Sequence, residues 1–431
     1  MEEYSYLSAT ELAARLRRGD VSAVDVVMAH LERIAAVNPQ LNAVVQLDAE
    51  GALTQARAAD AALAQGDSVG PLHGVPFTVK DVMETAGIVA AAGIPERAAF
   101  VPAEDAVVVA RMRAAGAILL GKTNCPPGGG GGDTDNPVYG RTNNPYDITR
   151  TPGGSSGGEA TIIAAGGSPM GLGSDSGGSI RVPAHFCGVA GLKPTSGRVP
   201  NTGVFNHPGG LSDPRTQIGP LARFVEDLAL VFGVIAGPDG RDSGVVPLPV
   251  TDYRAVRVSG LRVACYADDG VAPPTAETGA ATLMAAQVLA DFGAWVTEIC
   301  PPIAASRGIT ERYWSMSTLT GAQVETLFGD WDAFRTAMLV FMADYDAIVC
   351  PVDAHPAPRH GDPDPLRFNY TLPYSLTGWP VVVVRVGSSP EGLPNGVQII
   401  ANPWREHVAL AVARRLECVL GGWQPARSLN D

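Results

Sequence analysis

Short apolar runs alternate with helical segments through most of this chain, and that alternation limits its fold more than any other feature. The run "GVPFTVKD" at 74–81 is predicted to be a strand, and residues 105–123 are predicted to be a helix followed by a strand. Residues 160–175 repeat the helix–strand order, and "WPVVVVRVG" at 379–387 has the continuous apolar character of a buried strand. Strands that alternate with helices build a sheet with helices packed on its faces. The pattern therefore predicts the α/β class.

The first 65 residues are predicted to be mainly helical. Ser8 followed by Glu11 has the spacing of a helix N-terminal capping box, and Ser22 with Asp25 is a second capping signal. Residues 38–48 are predicted to form a turn and a short strand before the next helix.

Composition and charge indicate the class of protein. The chain has 431 residues, 46% of them hydrophobic and 17% charged, which is typical of a globular protein. Its formal net charge of −13 argues against nucleic-acid binding, which requires a phosphate-neutralising surface. The six cysteines form no CxxC pair, so neither a zinc motif nor a disulfide framework is predicted. No signal peptide is recognised and no segment approaches about 18 uninterrupted apolar residues, so we expect a cytoplasmic protein without a membrane span.

Two glycine–serine segments stand close together in the middle of the chain. Residues 151–160 read "TPGGSSGGEA", and residues 175–181 read "DSGGSIR". A glycine–serine segment alone is typical of a flexible linker. Here both segments follow Lys80, which stands at the end of the predicted strand 74–81, and the order of the three elements is more specific than any one of them.

Taken together, these segments resemble the amidase signature family, whose members carry a Gly-Gly-Ser-Ser-Gly-Gly loop, an Asp-x-Gly-Gly-Ser motif and a lysine at the end of an early strand. The resemblance is specific over residues 73–200 and weaker beyond them, and we treat residues 1–431 as one domain. It implies a single α/β/α domain around a large mixed twisted β-sheet, with the helices of residues 1–65 packed outside. It also implies a hydrolase that cleaves amides through an acyl-serine intermediate, with no metal and no cofactor.

By resemblance the catalytic residues are Lys80, Ser155 and Ser179, with Ser179 as the nucleophile. A serine hydroxyl is a poor nucleophile unless a base takes its proton. None of the seven histidines stands in a nucleophile-elbow pattern, and a lysine can act as the base when burial lowers its pKa. Ser155 would relay the proton between the other two residues, and the family implies a cis peptide bond beside it.

The resemblance also identifies the groups that would stabilise the transition state. Negative charge develops on the carbonyl oxygen, and backbone N–H groups aimed at that oxygen stabilise it. The amides implied for this role are those of Ser176, Gly177, Gly178 and Ser179. The residues expected to support the site from behind are Asp175, Arg181 and Ser156.

The residues after "GKTN" depart from the family pattern. Relatives usually continue with Pro-Glu and a bulky aromatic or methionine residue, whereas this chain continues with "CPPGGGGG". The loss of bulk is predicted to widen the pocket mouth and to favour bulky or aryl substrates. The glycine-rich residues 126–137 are predicted to form a mobile loop. The residues expected to line the pocket are Cys125, Gly128, Gly129, Phe205, Tyr313 and Trp314.

Amide hydrolysis is the expected activity, and two alternatives stay open. A carbamate presents the same carbonyl and the same leaving amine, so a urethane hydrolase would use the same catalytic residues. A glutaminase-type subunit of a tRNA-dependent amidotransferase would also use them, within a complex. The expected partner is a small-molecule amide or carbamate, with no nucleic acid and no membrane, and a homodimer is left open.

Overall fold

The computed structural model describes residues 4–210 and 212–426. Its α-helices are α1 Ala9–Arg18, α2 Ala23–Leu41, α3 Ala49–Ala64, α4 Val107–Ala114, α5 Gly157–Ala164, α6 Arg181–Phe186, α7 Val225–Ile235, α8 Ala276–Asp291, α9 Ser306–Trp314, α10 Gly321–Met342, α11 Leu372–Thr377 and α12 Glu406–Leu420. Its strands are β1 Val44–Leu47, β2 Pro76–Lys80, β3 Ile118–Thr123, β4 Met170–Asp175, β5 Ala190–Lys193, β6 Gln217–Ala222, β7 Arg262–Cys265, β8 Trp295–Glu298, β9 Ala347–Pro351, β10 Val381–Ser388 and β11 Pro394–Ala401.

The strands of the described residues form one 11-stranded sheet in the order β1-β3-β2-β4-β6-β5-β10-β11-β9-β7-β8. Strand β2 runs parallel to β3 and β4, and β7 runs parallel to β8 and β9. The remaining pairs, such as β4 with β6 and β10 with β11, are antiparallel. The sheet is therefore mixed, which confirms the predicted α/β class.

The N-terminal helices begin at the predicted capping residues. Ser8 Oγ accepts a hydrogen bond from the Glu11 N–H at 3.0 Å, and Ser22 Oγ accepts one from the Asp25 N–H at 3.0 Å. Glu11 Oε1 accepts from Arg15 Nε at 2.8 Å, so its carboxylate supports the following turn of the helix. Helices α2 and α3 pack on each other and reach β2 and β3 at the margin of the sheet.

The turn predicted to start at residue 38 is wrong, because helix α2 continues through Pro39 to Leu41. A proline removes one backbone donor, and near the end of a helix this costs a single hydrogen bond. The helix stops at Asn42, which has a left-handed φ of 48°. Asn38 Oδ1 then accepts from the Ala43 and Val44 N–H groups, which leads the chain into β1.

Two further predictions concern cysteines and membranes. All six cysteines are free thiols, and four of them are buried. Among the described residues, no helix combines the length and the apolar character needed to cross a membrane.

The centre of the sheet brings the two predicted site segments together. Strands β2 and β4 are parallel neighbours, with Thr78 opposite Gly171 and Val79 opposite Leu172. Their carboxyl ends therefore meet at one edge of the sheet. Helix α5 begins at Gly157, within the glycine–serine segment and directly after Ser156. Ligands of open α/β sheets bind at the carboxyl ends of the strands, so a site is expected at this edge.

Candidate active site

Lys80 is the last residue of β2, and its side chain is fully buried. Its Nζ lies 2.6 Å from Ser155 Oγ and 2.8 Å from Ser174 Oγ. Burial lowers the pKa of Lys80 from 10.5 to about 8, because the charged amine loses its hydration, and the negative charge of Asp175 opposes this shift only in part. A substantial fraction of the amine is therefore neutral near pH 8, as a base requires.

A second buried lysine, Lys122 on β3, has a different environment. Its Nζ lies 3.2 Å from Asp81 Oδ1 and donates to the Met83 carbonyl at 2.7 Å. Asp81 Oδ2 in turn accepts from the Ala92 N–H at 2.7 Å. The carboxylate compensates the charge of Lys122, whereas the side-chain partners of Lys80 are hydroxyl groups. Of the two lysines, Lys80 is the one suited to give up and take back a proton.

The two serines of the glycine–serine segment have different contacts. The Gly154–Ser155 peptide bond is cis, as the resemblance implies. Ser155 Oγ is the hydroxyl that contacts Lys80. Ser156 Oγ donates to the Ser174 carbonyl at 3.2 Å and accepts from the Ser174 N–H at 3.3 Å. Ser156 thus joins its loop to β4, while Ser155 faces the buried amine.

Ser179 lies in the loop between β4 and α6. Its backbone carbonyl accepts from the Ser156 N–H at 3.1 Å, which holds the two serine-bearing loops side by side. Ser155 is only 1% exposed, whereas Ser179 is partly exposed. The residue predicted to attack substrate is therefore the one that solvent can reach, and the residue predicted to relay the proton is enclosed.

Asp175, at the end of β4, fixes the shape of the Ser179 loop. Its Oδ1 accepts from the Gly178 N–H and from Arg181 Nη2, each at 2.8 Å. Its Oδ2 accepts from the Ile180 N–H at 3.0 Å and from Arg181 Nε at 2.9 Å. Burial alone would raise the pKa of Asp175, but the adjacent Arg181 guanidinium holds that pKa below its usual value. The carboxylate thus stays charged and supports the loop from behind.

Gly178 is not a free amide donor, and its predicted place among the oxyanion-stabilising amides is corrected on this point. Its N–H donates to Asp175 Oδ1 at 2.8 Å, so that hydrogen is already used within the protein. Gly178 instead provides backbone shape: its φ is 144°, and a Cβ there would lie 2.5 Å from Thr371 Oγ1. The amides that remain as predicted donors are those of Ser176, Gly177 and Ser179.

The glycine-rich segment leaves open space beside the Lys80 amine. Gly128 and Gly129 are buried and have φ values of 63° and 74°. A Cβ on Gly129 would lie 3.5 Å from Lys80 Nζ and 2.9 Å from Val82 Cγ1. Any larger residue at position 129 would therefore occupy the space next to the amine and press on Val82.

The same segment is anchored at both ends. The Gly128 N–H donates to the Ala92 carbonyl at 2.8 Å, and Arg367 Nη1 donates to the Gly132 carbonyl at 3.1 Å. Gly130 and Gly131 lie between these anchors and are exposed. Mobility of residues 126–137 stays a prediction. Within this segment, Gly130 and Gly131 are the residues for which mobility is now expected.

The predicted pocket residues occupy different positions. Cys125 is buried near Lys80, and burial raises the pKa of its thiol to about 12, so the thiol stays neutral; its place in the pocket stays a prediction. Trp314 is 54% exposed, and its Cζ2 would lie 3.2 Å from a Cβ on Gly177, at the mouth of the site. The Arg97 guanidinium carbon lies 3.8 Å from the ring centre of Phe205. The role of Phe205 in the pocket stays a prediction.

Sequence reasoning misses three polar groups near these residues, of which Ser174 is the first. His207 is 7% exposed, with Nδ1 3.5 Å from Asp213 Oδ2. Its Nε2 has no hydrogen-bond partner among the described residues and would lie 3.4 Å from a Cβ on Gly129. Arg215 is 3% exposed and stacks on Tyr313. These residues stand outside any recognisable motif, so only the folded contacts indicate them.

Known proteins are similar to this chain over nearly its whole length. The sequence model of the Amidase family matches residues 25–330 and 325–410. The chain is 37% identical to a glutamyl-tRNA(Gln) amidotransferase subunit from Chloroflexus aurantiacus, with 96% of each chain covered. It is 35% identical to an acylamidase of Rhodococcus erythropolis, with 96% of this chain and 95% of that protein covered. The solved structure of a bacterial aryl acylamidase of the amidase signature family matches with a TM-score of 0.86 and 27% identity, over 96% of each chain.

Proposed function

We propose a mechanism and a substrate class for this chain on the premise that it belongs to the Amidase family and is an amidohydrolase that acts on C–N bonds. The mechanism is cleavage of the amide through an acyl-serine intermediate on Ser179. One observation carries the proposal: a buried lysine amine, Lys80, whose pKa is lowered to about 8, contacts Ser155 Oγ at 2.6 Å beside the Ser179 loop. Bulky or aryl amides are the proposed substrates.

Activation of the nucleophile begins at the neutral Lys80 amine. The amine takes the proton of Ser155, and Ser155 takes the proton of Ser179, so that the Ser179 oxygen attacks the amide carbon. The hydrogen bond between the Ser156 N–H and the Ser179 carbonyl keeps the relay and the nucleophile at a fixed separation. Ser174 Oγ, 2.8 Å from the amine, orients Lys80 from the side of β4.

The attack places negative charge on the former carbonyl oxygen. The amides of Ser176, Gly177 and Ser179 are the donors for this charge. A single donor of this kind is worth about 3 kcal/mol of transition-state stabilisation in other hydrolases. The buried pair of Asp175 and Arg181 holds the loop in position before substrate binds, so little reorganisation is needed during the reaction.

The amine of the substrate must leave as a neutral molecule. An amine anion is a very poor leaving group, so the proton that reached Lys80 returns through Ser155 to the departing nitrogen. Water then takes the place of the amine and releases the acyl group by the same relay in reverse. Lys80 therefore acts twice as an acid–base group in each half of the reaction.

The surroundings of the site favour bulky or aryl groups. Gly129 leaves space beside the Lys80 amine, and Trp314 presents an exposed ring above Gly177. Aromatic side chains contribute large apolar contact area to a ligand. The acylamidase of Rhodococcus erythropolis and the bacterial aryl acylamidase are similar over nearly the whole chain, and both names describe amide substrates.

The proposal is tested with the purified chain on a panel of 4-nitroanilides, primary amides and aryl carbamates. We expect hydrolysis of anilides with benzoyl as well as acetyl groups, and loss of that activity in Ser179→Ala. Faster turnover of carbamates than of every amide would favour the urethane hydrolase alternative. Absence of anilide hydrolysis in a folded, purified chain would contradict the proposal.

The second candidate is the glutaminase-type subunit, which the 37% identity to the amidotransferase subunit from Chloroflexus aurantiacus supports. Both candidates use Lys80, Ser155 and Ser179, so the site does not separate them. Glutamine in the same panel does: a glutaminase subunit hydrolyses glutamine and little else, and it depends on partner subunits for full activity. Rapid hydrolysis of simple anilides by the chain alone favours the first candidate.

A further inference from the structure

Arg215 is a buried guanidinium that forms no ion pair with any described residue. It is 3% exposed, no carboxylate of the described residues forms an ion pair with it, and its Nε and Nη1 have no hydrogen-bond partner there. Other buried arginines have more partners: Arg181 pairs with Asp175, and Arg223 donates to three backbone carbonyls although its Nε has no partner among the described residues. A buried charge is costly unless it is paired, so unpartnered N–H groups of a buried guanidinium are suited to bind an anionic group.

The neighbours of Arg215 compensate its charge only in part: burial lowers the pKa of the guanidinium, and Tyr313 and Asp213 oppose that shift without cancelling it. Its guanidinium carbon lies 4.0 Å from the ring centre of Tyr313 and 5.7 Å from that of Trp314. These rings stabilise the cation on its faces, but neither of them carries a negative charge. Asp213 makes no ion pair with the guanidinium, since its Oδ1 accepts from the Thr216 N–H and its Oδ2 lies 3.5 Å from His207 Nδ1.

Two contacts place Arg215 alongside the Ser179 loop. Thr216, the next residue, shares a hydrogen bond of 2.5 Å between its Oγ1 and Ser176 Oγ. Trp314, which flanks the guanidinium, lies directly over Gly177. Thr216 and Trp314 therefore join Arg215 to the loop whose amides are the predicted oxyanion donors.

We propose that Arg215, framed by Tyr313 and Trp314, binds a carboxylate of the substrate, so that the preferred amides of this enzyme carry an anionic group in addition to the scissile bond. The inference rests on the proposed function and makes its substrate class narrower. Arginine is suited to this role because it stays charged when buried and its planar N–H groups match the geometry of a carboxylate. The net charge of −13 would otherwise repel such a substrate, so a local cation is needed to hold it.

Matched substrates test the inference. In one pair, N-(4-nitrophenyl)succinamic acid differs from N-(4-nitrophenyl)butanamide only by a carboxylate in place of a methyl group. In the other, 4-acetamidobenzoate differs from 4-acetamidotoluene in the same way on the amine side. We expect kcat/KM to favour the carboxylate member of at least one pair by about tenfold or more, mainly through KM.

Three variants identify the source of that preference. Arg215→Met should reduce the ratio of kcat/KM within the pair by about tenfold, and Arg215→Lys should reduce it less. Arg312 is the control: it is an exposed arginine on α9, the helix that also carries Trp314, and it pairs with Asp330 of α10. Arg312→Met should leave the ratio unchanged. A preference for the neutral member in both pairs, or an equal ratio in Arg215→Met and wild type, would overturn the inference.

Stability and binding separate this inference from the proposed function. Arg215→Met should melt at or above the temperature of the wild type, because it removes an unpaired buried charge; a much lower melting temperature would show a packing role instead and overturn the proposal. Calorimetric binding to Ser179→Ala should be tighter for the carboxylate member than for its neutral partner, and equal after Arg215→Met is added. This binding decides the role of Arg215 even if no anilide is hydrolysed, an outcome that would reject only the proposed activity.

Discussion

Raising the pH from 7 to 9 should increase kcat/KM for amides by about tenfold and then bring it to a plateau. Lys80 acts as a base only when its amine is neutral, and burial lowers its pKa to about 8. The neutral fraction is then about one tenth at pH 7 and about nine tenths at pH 9. If the pKa kept its usual value of 10.5, the neutral fraction would grow about a hundredfold over the same interval and would still be rising.

The assay is kcat/KM for a 4-nitroanilide and for the 4-nitrophenyl ester of the same acid, measured from pH 6 to 10.5 in wild type and Lys80→Ala, with circular dichroism to verify folding at each pH. The amide activity of Lys80→Ala should fall by more than the roughly 10²–10⁴-fold of one acid–base step, because activation of the nucleophile and protonation of the amine are both lost. Ester hydrolysis should fall less, since a nitrophenolate leaves without a proton. A wild-type profile that climbs with unit slope beyond pH 10 would refute the lowered pKa, and equal loss of both activities would refute the second proton transfer.

Three further predictions concern the surroundings of Lys80. Gly129→Ala should lower kcat/KM more for a benzoyl than for an acetyl anilide, because the φ of Gly129 is 74° and the new Cβ would lie 3.5 Å from Lys80 Nζ. The matched control is Gly130→Ala, at an exposed position with a φ of −104°. Equal effects of the two substitutions would contradict the reasoning. Ser174→Ala should move the midpoint of the pH–rate profile down by about one unit, because it removes a hydrogen bond to the charged amine, and an unchanged midpoint would count against that contact. Lys80→Met should be more stable than the wild type at pH 7, since folding lowers the pKa of Lys80 and so makes the charged amine costly. This cost is fully present below pH 8 and disappears as the pH rises to 10.5. In urea unfolding, the difference in unfolding free energy between the two proteins should therefore narrow by about 3 kcal/mol over that range, and a constant difference would disagree.

The elements that carry the site were predictable because local signals define them. Strand β2 ends at Lys80 and β4 ends at Asp175, as the apolar runs and the polar residues after them indicate. The cis bond at Ser155 follows from the resemblance alone. Helix α10 shows a signal that sequence analysis leaves unused: Leu327, Trp331, Phe334, Met338 and Met342 recur at helical spacing and are all buried.

The contacts of individual side chains, near and distant in the chain, were not predictable. Whether the Gly178 N–H points to Asp175 or into the pocket depends on how a buried carboxylate is held by Arg181, which spacing does not report. Arg215 and Tyr313 stand far apart in the chain, and the segment around each carries no motif. Their proximity follows from how the segment before β6 packs against α9, and the lack of an ion pair to Arg215 is evident only when its described neighbours are known.

Trapping of the acyl-enzyme tests the central claim most directly. Wild-type protein is mixed with 4-nitrophenyl acetate, quenched in acid within milliseconds, digested and examined by mass spectrometry, with Ser179→Ala and Lys80→Ala treated in parallel. The account predicts an acetyl group on Ser179 in the wild type, slower formation of the same adduct in Lys80→Ala, and no adduct at this site or elsewhere in Ser179→Ala. An acetyl group on Ser155 in place of Ser179, or undiminished amide turnover by Ser179→Ala, would contradict it.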